Sequence, residues 1–135
     1  MNKEMLVLIT SQLIKDKISL IEMHERLIQQ LGDSSEAEEY VYNEYLGDYI
    51  NKLNSVINNL ILCIQNNNID LSNHDIAIIT AQLQKDKNQI NSILDETERN
   101  HINVPEAPIL GYESYILWES NYIDALFQKF IYSNH

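Results

Sequence analysis

Four histidines, one cysteine and twenty acidic residues are the groups in this 135-residue chain that could carry chemistry. A carboxylate-bridged di-iron site in a helical bundle draws Glu-x-x-His from two helices and a further Glu from each of two others. Only Glu98 and His101 have that spacing; His24 has Glu22 and Glu25 nearby at the wrong intervals, and His74 and His135 stand alone. No metal centre is expected. Cys63 falls between Leu60 and Ile64 on an apolar row, with Lys52 the nearest base before it. A reactive thiolate needs an electropositive, partly exposed setting, so Cys63 reads as a core side chain. Gly32, Gly47 and Gly111 are dispersed and build no phosphate-cradling loop. Acid pairs on facing helices could hold magnesium for nucleotide hydrolysis, but Glu36, Glu38, Glu39, Glu44 and Asp48 do not keep the paired spacing. The chain is expected to be neither an enzyme nor a cofactor protein.

What remains is surface. Every aromatic residue lies in one of two stretches, Tyr40 to Tyr49 or Tyr112 to Tyr132. Tyr42, Leu46, Tyr49, Leu53, Val56, Leu60 and Cys63 form a helical apolar row. Tyr40 and Tyr45 fall off it, among Glu36, Glu39, Glu44 and Asp48. Tyrosine supplies rigid amphipathic area, and carboxylates accept from a partner's Arg and Lys. Glu36, Glu39, Tyr40, Glu44, Tyr45 and Asp48 are therefore the candidate partner-binding residues. The plainer reading is a solvated helix face. Tyr115, Trp118 and Tyr122 are expected in the core, with Leu126 and Phe130.

Net charge narrows the partner. Twenty acids against nine bases give −11, with an isoelectric point near 4.6. Such a chain repels nucleic acid and anionic membranes, so a basic protein is the natural partner and neither nucleic acid nor membrane is. No run of 18 apolar residues occurs and no signal peptide is evident. With a single cysteine, this points to the cytoplasm.

The elements that must position these residues are helices. Three Gly and two Pro are too few for a many-stranded fold, and no stretch keeps period-2 alternation. Leu6, Leu13, Leu20 and Leu27, with Ile9 and Met23, mark a helix from Asn2 to Leu31. The polar run Lys15-Asp16-Lys17 and the capping-box spacing of Ser19 with Glu22 favour a break near Lys17. Ser35 opens a second helix to about Gln65, roughly 45 Å long, which Asn66-Asn67-Asn68 stops. Ser72 with Asp75 caps a third, running through Ile76, Ile79, Leu83, Ile90 and Ile93 to about Asn100. A loop carrying Pro105 and Pro108 leads to a fourth, about Tyr112 to Tyr132. Residues 9–17 and 79–87 match at seven of nine positions with a constant offset of 70. In the following helices Tyr40-Val41 with Glu44 echoes Tyr115-Ile116 with Glu119 at an offset of 75, the proline loop absorbing five residues. The expected fold is all-α: a four-helix bundle in one domain, built from two related antiparallel hairpins (about 1–65 and 70–135) around a pseudo-twofold axis. Asp16 and Asp86 repeat at seam positions. Either the helices bend or break there and both acids reach water, or Lys17 or Lys87 pairs with them in the interior.

The stretch Leu13 to Leu27 resembles the opening of the colicin D-type immunity proteins, whose relatives occur in bacterial contact-dependent inhibition systems. Lys17-Ile18-Ser19, Glu22 and Arg26 carry the likeness. It implies a short first helix ending near Lys17, and a small acidic helical protein that blocks a nuclease toxin's active site. No toxin-contact residue transfers with it. The leading expectation is an immunity protein that occludes a basic nuclease-type toxin. The alternatives are a phage or mobile-element inhibitor acting by nucleic-acid mimicry, and a structural or regulatory helical homodimer.

Overall fold

In the computed structural model the backbone is described for residues 1–31, 37–101 and 107–134, and side chains for 1–30, 41–99 and 113–134. The chain is all-α, with four helices: α1 (Lys3–Leu31), α2 (Ala37–Asn66), α3 (Asn73–His101) and α4 (Ala107–Asn134). It divides into two compact units, Met1–Ile78 and Ile79–His135.

In the first unit α1 and α2 form an antiparallel hairpin. Lys17 Nζ donates to Asn54 Oδ1 at 3.0 Å, and farther along α1 His24 reaches back to Gly47. A Cβ there would meet His24 Nε2 at 3.2 Å, so the missing side chain lets the two helices close. Leu6, Ile9 and Leu13 are buried on α1, and Leu46, Leu53, Val56, Ile57, Leu60 and Cys63 on α2. Asn2 Oδ1 caps α1 by accepting from Met5 N at 2.8 Å. Ser72 and Asp75 form the expected capping box, Asp75 N donating to Ser72 Oγ and Ser72 N to Asp75 Oδ2. The asparagine run ends α2 as expected. Asn67 takes φ 52°, while Asn68 N and Asn67 N donate to the Cys63 and Ile64 carbonyls, the Schellman arrangement. Asn67→Ala is expected to cost about 1 kcal/mol, because a Cβ without asparagine's local hydrogen bonding disfavours the left-handed region. Thermal melts would show Asn67→Gly without that loss.

In the second unit α3 and α4 pair in the same antiparallel way. Lys87 Nζ meets Asp124 Oδ1 at 2.8 Å, and Ser120 Oγ donates to Asn91 Oδ1 at 2.6 Å. Ile79, Leu83 and Ile90 are buried on α3, and Ile116, Ile123, Leu126, Phe127 and Phe130 on α4.

Three expectations are corrected. First, α1 runs unbroken through Lys17, where both the polar run and the resemblance implied a break. The run is accommodated inside the helix: Asp16 Oδ1 accepts from Gln12 Nε2 one turn back at 3.1 Å, and Lys17 is held by Asn54. Asp16 is half-buried, but Asp86, expected to reach water with it, is buried and accepts from Gln82 at 3.2 Å. Lys87 pairs across to α4.

Second, α4 begins at Ala107 rather than Tyr112. Pro108 lies in its first turn, where no amide donor is required. The duplication therefore keeps one offset, 70, throughout: α3 spans the α1 limits plus 70 and α4 starts at the α2 start plus 70. The same shift relates Lys17–Asn54 to Lys87–Asp124, the two Gln–Asp bonds and the caps Asn2 and Ser72. It also pairs the buried residues Leu46, Leu53, Val56, Ile57 and Leu60 with Ile116, Ile123, Leu126, Phe127 and Phe130. The offset of 75 was a coincidence of composition.

Third, the buried face of α4 is turned relative to expectation. Ile116, Ile123, Phe127 and Phe130 are buried, whereas Tyr115 and Trp118 are exposed and Tyr122 is half-buried. On α2, likewise, Tyr42 is exposed.

A candidate partner-binding face

The second helix delivers the candidate residues because its inner row is already apolar. With Leu46, Leu53 and Val56 inside, positions 41, 44, 45 and 48 turn outward at the spacing that makes helix neighbours. Val41 is 67% exposed, Tyr42 50% and Tyr45 61%, and Glu44 and Asp48 are exposed beside them. Asp48 Oδ2 pairs with Lys52 Nζ at 3.1 Å, both side chains more than half exposed; such a pair is worth under about 1 kcal/mol and opens readily to a competing cation. Of the remaining candidates, Glu39 and Tyr40 lie on α2 with side chains outside the described residues, and Glu36 lies outside them altogether. The structure thus brings together Tyr45, Glu44 and Asp48, and adds Val41 and Tyr42. Apolar area interleaved with carboxylates can seat a cationic polypeptide surface.

Other groups are taken up by the fold. Cys63 is buried, and its Sγ accepts from Asp70 N at 3.4 Å, so the thiol ties down the α2–α3 connection. A polar crevice there is lined by Asn59, Asn66, Asn68, Asp70 and Asp75. Asn59 Nδ2 donates to both Asp75 oxygens, at 3.4 and 3.2 Å, so that carboxylate serves the helix cap. Among the described residues no group of three His, Cys, Asp or Glu is placed to hold a metal ion. No helix among them is long and apolar enough to cross a membrane.

Sequence reasoning missed one feature. Tyr115, Trp118 and Tyr122 form a stacked series along α4. Ring centroids are 6.4 Å apart for the first pair and 5.6 Å for the second, with interplanar angles of 28° and 8°. A signal for it was present: at an offset of 70, Tyr115 matches Tyr45, the tyrosine already placed off the apolar row.

Comparison of the chain with protein-family models, with curated proteins and with solved structures finds no match.

Proposed function

We propose that this chain is a stoichiometric, non-catalytic inhibitor that binds a basic protein, and specifically an immunity protein that neutralises a nuclease-type bacterial toxin by occluding its active site. The observation that carries this reading is the exposed face of Val41, Tyr42 and Tyr45 with Glu44 and Asp48, on a chain of net charge −11. A nuclease's substrate groove is positive because it holds a phosphate backbone. Carboxylates presented on a rigid helix compete for the same cations, and exposed tyrosines supply desolvated contact area at small entropic cost. Long-range attraction between opposite net charges makes association fast and salt-sensitive. The nuclease assignment draws on the likeness at Leu13 to Leu27; the basic partner draws on charge and surface. Such an inhibitor acts in the cytoplasm of the cell that makes the toxin or receives it.

Reversing charge at Glu39, Glu44 and Asp48 together is expected to weaken binding to the captured basic partner by at least about 100-fold, a loss of about 2.7 kcal/mol. The melting temperature should stay nearly unchanged, since Glu44 and Asp48 are exposed. Calorimetric titration of wild type and variant reads the difference. Undiminished affinity would remove this face from the interface.

A further inference from the structure

The internal duplication supplies a control for every surface residue, because each half shows what the shared hairpin needs in order to fold. At Trp118 and Tyr122 the first half has Asp48 and Lys52, offset by 70, which form an exposed ion pair. The surrounding buried positions agree in both halves, Leu46 with Ile116 and Leu53 with Ile123. The hairpin therefore forms without aromatic rings at these positions. Yet the second half keeps Tyr115 and Trp118 in solvent, 55% and 61% exposed, ordered against one another and Tyr122 as a stack.

We infer that the Tyr115–Trp118–Tyr122 stack on α4 is a docking surface for an arginine-bearing segment of a basic protein. This deepens the proposed function and rests on it for the partner's charge. Three observations favour that occupant. From Ala107 to Gln128, α4 contains neither Lys nor Arg; Asp124 is already paired with Lys87, so Glu119, next to Trp118, and the chain's net charge of −11 are what complement a cation. Aromatic faces attract cations, tryptophan most strongly, and guanidinium stacks flat on them where ammonium does not. The same unit already holds a cation in this way: Lys87 Nζ sits 5.2 Å from the Phe127 centroid while paired with Asp124. A single-stranded nucleic acid could also stack on such rings, but the net charge of −11 opposes its phosphates.

The test transplants the first half's residues into the second. Trp118→Asp with Tyr122→Lys reproduces the Asp48–Lys52 pair and leaves the net charge unchanged, so it separates ring stacking from bulk electrostatics. Calorimetric titration with a capped hexa-arginine peptide should give saturable binding to the wild-type chain. Binding should be at least tenfold weaker to the double variant at an equal melting temperature, and hexa-lysine should bind the wild type less tightly than hexa-arginine. Trp118 is the single tryptophan, so hexa-arginine should also change the wild-type emission excited at 295 nm, a readout that needs no variant. Equal affinity of wild type and variant, with unchanged emission, would overturn the docking surface while leaving the basic-partner reading to the charge-reversal test on α2. Absence of hexa-arginine binding, or tighter binding of a uridine decanucleotide, would overturn it as well.

Discussion

Replacing Phe130 with alanine is expected to lower the free energy of unfolding by about 3–5 kcal/mol, and Leu60→Ala by about 2–5 kcal/mol. Both side chains are wholly buried, and they occupy the same place in the two halves, 70 residues apart. Each truncation removes the transfer free energy of a buried side chain and leaves a cavity that its helical neighbours fill only in part. Phe130 is the larger loss because the ring fills more volume. Urea denaturation followed by circular dichroism measures both. A cost below about 1 kcal/mol at either site, the level of an ordinary surface substitution, would mean that the last turns of α2 or α4 do not contribute to the core as described.

Asp75→Ala is expected to cost about 2–3 kcal/mol through lost hydrogen bonds. The side chain is 6% exposed and accepts from Ser72 N and from Asn59 Nδ2. Its loss removes half of a capping box and leaves two part-buried donors, Ser72 N and Asn59 Nδ2, without this acceptor. Asp75→Asn keeps one acceptor oxygen and should recover about half of the loss. Met5 stands at the matching position in the first half, where the cap Asn2 acts alone; Met5→Ala should therefore report packing without any cap contribution. The same denaturation series decides, and equal values for Asp75→Ala and Asp75→Asn would contradict the hydrogen-bond account.

How much of this was legible from residues alone differs by helix. The capping box at Ser72 and the asparagine stop after α2 were readable because they depend on local hydrogen bonds between near neighbours. The inner row of α2 was readable from Leu46 to Cys63, since its polar residues leave little choice of face, but Tyr42, expected on it, is exposed. On α4 two adjacent rows are both apolar. Ile116, Ile123 and Phe127 compete with Tyr115, Trp118 and Tyr122, and a rotation of one residue exchanges them; only packing decides. The break near Lys17 was misjudged because a capping-box spacing says where a helix can start, whereas Gln12 and Asn54 show why it need not. The echo between residues 9–17 and 79–87 was real, but tyrosine, isoleucine and glutamate recur often enough to offer a false register of 75. Burial pairs such as Leu60 with Phe130 fix the register at 70, and only tertiary structure displays them. Of the candidate face, Tyr45, Glu44 and Asp48 were found from their distance to the apolar row. The aromatic stack on α4 was not, because its residues were assigned to the core.

The proposed role of this chain is to bind a basic nuclease and inhibit it. Its most direct test is a pull-down from the native lysate at low salt with the tagged full chain as bait, eluted in rising salt, with each released protein identified by mass and assayed for RNA cleavage. The account predicts one basic protein, released by salt, whose nuclease activity falls to background when the chain is added back at one to one. A bait that captures no basic protein and runs as a homodimer by light scattering would contradict it, as would a captured protein whose activity is unchanged at saturation.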